Sequence, residues 1–181
     1  MLSQVNEYVA VLDSCVLVPM PICDTLLRLA EAGFFIPKWS PQILDETAGV
    51  LRRLGRTKEQ IGHRLQQMAL AFEDAVVTGY EPLVAGMPIN DKDGHVLAAA
   101  VRAQANVIVT ENLKDFPTEA LAQFGIEAQD ADEFLLQQYN LAPDGFLEIV
   151  RRQAEENHME LARLIDLLAV MAPRLRELFS A

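Results

Sequence analysis

Histidine and cysteine are scarce in this chain: three of the former and two of the latter in 181 residues. The cysteines, Cys15 and Cys23, sit in or near apolar segments and are too few for a disulfide framework, so both read as reduced thiols. Zinc asks for imidazole or thiolate ligands and finds no suitable set. No uncharged apolar run approaches the roughly 20 residues needed to span a bilayer. The opening segment MLSQVNEYVAVLD has no basic stretch ahead of an apolar one, so no secretory leader is expected. A cytoplasmic location without a membrane partner follows. GxGxxG, GxxxxGKS/T, GxSxG and HExxH are missing, which leaves nucleotide-fold, serine-hydrolase and zincin readings without their motifs. Positive charge is short as well: 15 Lys and Arg stand against 26 Asp and Glu, a net charge of −11. Such a field repels phosphates and argues against casual nucleic-acid binding. Clustered acids holding divalent metal would reverse the local sign where a substrate docks.

What is present is a chain that is 51% hydrophobic, enough for one sizeable core. Short β-branched runs alternate with helical patterns over residues 8 to 130. Tyr8 to Leu12, FFIPKW, AVVTGY, NVIVT and IEAQ read as strands. The segment at 21–33 reads as a helix closed by Gly33, and Ser40-Pro41 and Thr57 mark two further helix starts. DKDGHVLAAAVRAQA is a helix with an acidic first turn. Alternation of this kind predicts right-handed βαβ units and a parallel sheet. From residue 131 onward only helical patterns remain, two or three of them, with breaks near Pro143 and 157. The expected organisation is one α/β domain over 1–130 and a helical extension over 131–181.

Ligands of open parallel sheets bind beyond the carboxyl ends of the strands. Asp13 ends the first strand, and Thr110, Asn112 and Asp115 follow the end of NVIVT. Asp91 and Asp93 lead the helix before that strand, and Glu46 lies one turn inside the helix that starts at Ser40. Several carboxylates without a histidine or cysteine partner suit a hard cation such as Mg²⁺ or Mn²⁺. Each acid also has a plainer reading. Asp13 and Asp115 suit turns, Asp45 competes with Glu46, and Asp91 or Asp93 caps its helix. His95 packs or bonds locally, and His63 and His158 carry no role.

Four stretches, VLDSCVL, WSPQILDE, DKDGHVLAAAV and VIVTENLKDFP, resemble the successive signatures of PIN-domain ribonucleases, most closely the VapC-type toxins of bacterial toxin–antitoxin systems. The resemblance covers residues 8 to about 130, and the helical tail is similar to the C-terminal extension of one VapC subgroup. It implies a three-layer α/β/α sandwich around a parallel sheet, with Asp13, Glu46, Asp93 and Asp115 as an acidic pocket for Mg²⁺ or Mn²⁺. Ser14, Thr110 and Asn112 match supporting positions, with Asp91 as a neighbour. The implied chemistry is metal-assisted hydrolysis of RNA phosphodiesters. A cognate antitoxin and a homodimer are the implied protein partners. The basic run Arg52, Arg53, Arg56, Lys58 and Arg64 could grip RNA backbone, or simply form a solvated helix face and loop. Cys23, the Thr47-Ala48-Gly49 stretch and an uninterrupted helical run beyond 157 depart from the family's pattern. Two other readings stand beside this one. The first is a catalytically silent PIN-like module that only binds a partner. The second is a haloacid-dehalogenase-type phosphatase, which wants a second acid two residues after Asp13, where Cys15 stands.

Overall fold

The computed structural model describes residues 7–179. Residues 1–6 of the opening segment, and the expected domain ends at 1 and 181, lie outside the described residues. Four strands, β1 (Val9–Leu12), β2 (Ile36–Lys38), β3 (Val107–Val109) and β4 (Glu127–Gln129), form a parallel sheet in the order β2-β1-β3-β4. The central strands are apolar and almost wholly buried, as strands covered on both faces must be. Pro37 is accommodated because β2 is an edge strand. The α/β architecture expected from the alternation is therefore present, with helices flanking the sheet.

The helices are α1 (Ser14–Leu17), α2 (Met20–Glu31), α3 (Pro41–Arg53), α4 (Lys58–Ala71), α5 (Glu81–Val84), α6 (Gly94–Arg102), α7 (Thr118–Ala122), α8 (Ala131–Leu141), α9 (Pro143–Glu156), α10 (Leu161–Leu168) and α11 (Arg174–Leu178). Local chemistry sets several boundaries. Ser40 Oγ accepts from Ile43 N at 3.1 Å with Pro41 at the first helical position of α3. Thr57 and Gln60 form a reciprocal capping box on α4. Gly33, at φ 83°, ends α2 in a left-handed conformation that costs a side-chain-bearing residue more.

Two expectations are corrected. AVVTGY is not a strand: it adds a single parallel bridge, Trp39 to Val76, before Gly79 turns the chain at φ 73°. Its apolar pattern serves another end, since Ala75 and Val77 are buried and Val76 is exposed. The run beyond 157 is not continuous either. It divides into α10 and α11, with Pro173 standing immediately before α11. The tail thus holds four helices, α8 to α11, among the described residues.

One hydrophobic cluster joins strands, α2, α6 and the tail, from Ala10 to Leu175. Phe134 of α8 meets Phe35 edge-on at 4.9 Å between ring centroids. Thr25 of α2 donates to Gln153 Oε1 of α9 at 2.7 Å, and Gln153 Nε2 donates to Pro21 O at 3.1 Å. No described helix is long and apolar enough to cross a membrane.

Candidate metal and catalytic site

Asp13 sits where the sheet ends. Its N–H continues the ladder to Val109 O at 3.1 Å, which holds the residue beside Thr110. The side chain, 4% exposed, gathers donors from two strand ends. Ser14 N donates to Oδ1 at 2.6 Å, while Thr110 Oγ1 and Cys15 Sγ donate to Oδ2 at 2.7 and 3.2 Å. Thr110 Oγ1 also accepts from Asn112 N at 3.2 Å, and Cys15 Sγ accepts from Glu111 N at 3.2 Å. Burial first, and then the Asp13 charge, push the Cys15 thiol up to about 12. Cys15 is therefore part of the polar seam between β1 and β3, a role its apolar sequence neighbours concealed.

The crossover that precedes a parallel strand runs antiparallel to it, so α6 begins at the carboxyl edge of the sheet. Asp93 stands there at the N-cap position, 8% exposed. The expectation that Asp91 or Asp93 caps this helix by its side chain is not met. Asp93 makes no side-chain cap bond; Asn90 Oδ1 accepts from Asp93 N at 3.0 Å instead. The Asp93 carboxylate is thus nearly buried without a helix-capping duty, while Asp91 is exposed.

Glu46 lies on α3, which follows β2 at the same edge. Its Oε1 is 2.9 Å from Nε2 of His95, the second residue of α6. Asp45, its neighbour, is exposed. The His95 side chain is 4% exposed, and its Nδ1 is buried with no partner among the described residues. No sequence signal pairs positions 46 and 95, because the contact is long-range. Asp115 ends a 3-10 turn, Leu113–Asp115, half-buried, with its N–H donating to Asn112 O at 2.9 Å. Asn112 thus supports the loop through its backbone.

The acids fall into groups rather than a closed cage. Asp13 lies with Ser14, Cys15 and Thr110; Glu46 pairs with His95, two residues after Asp93 on α6; Asp115 is on the loop after β3. Among the described residues, no three His, Cys, Asp or Glu side chains are placed to hold a metal together. In kind, the donors fit a hard divalent ion: carboxylate oxygens, with a buried one at Asp93 that has no capping bond. Of the basic run, Arg52, Arg53, Arg56 and Lys58 are exposed. Arg64 differs, since its guanidinium donates to the carbonyls of Leu17 and Val18.

Comparison with known proteins identifies the family. Residues 9–114, more than half of the chain, match the family described as PIN domain. Over 67 residues the chain is 54% identical to "Putative ribonuclease VapC50" of Mycobacterium tuberculosis, a stretch that covers 37% of this chain and 40% of that protein. No solved structure matches the chain.

Proposed function

The chain belongs to the PIN-domain family, and from that membership we propose that it is a divalent-metal-dependent endoribonuclease, the toxin of a VapBC-like toxin–antitoxin pair. The observation that carries the reading is Asp93: a residue 8% exposed, at the carboxyl edge of the sheet, whose carboxylate lacks the capping bond its position would give it. Taking an ionised carboxylate largely out of water is costly, and a cation beside it relieves that cost. Asp13, Glu46, Asp93 and Asp115 would hold Mg²⁺ or Mn²⁺. Such an ion would offset phosphate charge and lower the pKa of an attacking water. Thr110 and Ser14 fix the Asp13 carboxylate through its two oxygens. Glu46 is held at Oε1, which leaves Oε2 to orient water. Arg52, Arg53, Arg56 and Lys58 offer phosphate contacts outside the acidic edge. Residues 1–130 would form the nuclease unit and 131–181 its helical extension.

The partners follow the same reading. A groove of about 980 Å³ opens between α2 and α4, lined by Met20, Leu27, Leu51, Leu54, Ile61 and Met68 among others. Met20 and Leu54 are 55% and 66% exposed there. An apolar segment of the cognate antitoxin would seat in it, and a homodimer would present two such grooves. Leu54→Asp should weaken antitoxin capture at least tenfold, as read by titration calorimetry with the co-encoded small protein; unchanged affinity would place the antitoxin elsewhere. Sedimentation velocity reads the dimer.

A specific observation favours a second reading: among the described residues the acids are not closed into a cage. That suits a silent PIN-like module that binds a partner and does not cut. Cleavage of a labelled structured RNA by the purified protein separates the two, run with Mg²⁺, Mn²⁺ and EDTA beside Asp93→Asn. The nuclease reading expects cleavage that needs metal and falls by at least a hundredfold in Asp93→Asn. Metal-independent or absent cleavage would sink it. Cleavage unchanged in the variant would mean a contaminant or a misplaced site.

A further inference from the structure

Glu46 has three rotatable side-chain bonds and is 39% exposed, so on its own its carboxylate would sample solvent. It is tethered instead. His95 Nε2 lies 2.9 Å from Glu46 Oε1, and the imidazole that holds it is 4% exposed, packed into the first turn of α6. For that contact to be a hydrogen bond to a carboxylate, Nε2 must carry the hydrogen, whatever the state of Nδ1. The bond spans two separately supported elements: α3 packs on α1 and α4, whereas α6 packs on α5, β1 and β3. His95 also follows Asp93 by two residues on the same helix start. A rigid donor therefore links an otherwise mobile acid to the helix end that carries the buried one.

We infer that His95 is a positioning residue, whose Nε2–H holds the Glu46 carboxylate at the start of α6, the helix led by Asp93, and so shapes the metal-holding edge of the site. The inference rests on the nuclease reading above. His95 touches neither substrate nor cation in this scheme; it acts through Glu46, and its Nδ1 has no other described duty. Residues that orient metal-holding carboxylates typically carry a 10–100-fold effect on metal affinity or activity when removed.

The test uses the full chain and two readouts, Mn²⁺ affinity by electron paramagnetic resonance and cleavage of a labelled RNA, with thermal unfolding as a control. His95→Leu should weaken Mn²⁺ binding and cleavage by roughly ten- to a hundredfold. His95→Gln, whose amide nitrogen can reach the Nε2 position, should stay within about threefold of wild type; the shorter His95→Asn should resemble His95→Leu. In a Glu46→Gln background, His95→Leu should cost nothing further, because the carboxylate that His95 positions is already gone. A folded His95→Leu with unchanged Mn²⁺ affinity would overturn the inference, as would a full additional loss in the Glu46→Gln background. If His95→Leu does not fold, the ranking of Gln over Asn decides, and equal behaviour of the two rejects the role. Wild-type protein that neither binds Mn²⁺ nor cuts RNA removes the nuclease reading and this inference together, whereas an active wild type with indifferent His95 variants removes the inference alone.

Discussion

Cys15 shows how much of a site is invisible to a residue's sequence neighbours. It stands between two valine- and leucine-rich stretches, yet its sulfur bridges Asp13, Thr110 and Glu111. The half-buried thiol, facing a carboxylate, is pushed up to about 12, so it stays protonated through the neutral range. Cys23 is also raised, chiefly by burial. Thiolate is the reactive species. Ellman's reagent at pH 8 should therefore label neither thiol of the native, metal-free protein within minutes, and both at once in guanidinium. Rapid native labelling of one thiol would contradict this environment for it. The folded state holds the Cys15 proton more tightly than the unfolded chain, whose thiols titrate near their ordinary value of roughly 8.5. Its contribution is thus complete below that value and is lost as pH rises toward about 12. Cys15→Ser should flatten the alkaline fall in stability, measured by urea unfolding. The acids differ from Cys15 in legibility: Asp13, Asp93 and Asp115 mark strand ends and helix starts that periodicity reveals. The pairing of Glu46 with His95 does not announce itself, because it joins residues 49 positions apart on different helices.

Elements were readable where a local signal agreed with the tertiary one. Ser40-Pro41 and Thr57 announced α3 and α4, and the β-branched run announced β3. AVVTGY misled because burial of alternate residues looks the same whether or not a ladder forms; among the described residues only Trp39 pairs with it. The tail misled in the other direction, since its apolar positions keep a helical spacing across the break before α11. Within α8 one residue breaks the apolar rule without compensation. Gln138 is fully buried, and neither its Nε2 nor its Oε1 has a partner among the described residues. A buried polar group left without its hydrogen bond costs about 1–3 kcal/mol. Gln138→Leu, of similar volume, should raise stability by about that amount in chemical denaturation without changing RNA cleavage. A destabilised variant would mean that the amide is satisfied in solution, by water or by rearrangement.

At the scale of the whole molecule, the question is whether the helical tail is an attachment or part of the fold. Sequence suggests a seam at 130, because strands stop there. Packing gives the tail a larger part: Phe134, Leu135, Phe146, Val150, Leu164, Leu168 and Leu175 belong to the same hydrophobic cluster as β1 and β3. Removing α8–α11 would bare Phe35 and the face of α2 that carries Thr25. Each large apolar side chain returned to water loses about 1.5–3 kcal/mol. Three or four of them match a typical total stability of about 5–15 kcal/mol. A chain ending at Asp130 should therefore lack a cooperative thermal transition and bind ANS, although it retains every proposed catalytic acid. The intact protein offers an internal check. Trp39, the single tryptophan, lies at the end of β2 against Phe72, so its fluorescence reports the sheet region. Far-ultraviolet circular dichroism is weighted toward the helices, many of them in the tail. One cooperative unit requires the two melting curves to coincide. Two separated transitions, or a sharp melt of the 1–130 fragment, would make the tail a dispensable appendage and return the boundary at 130 to a true domain limit.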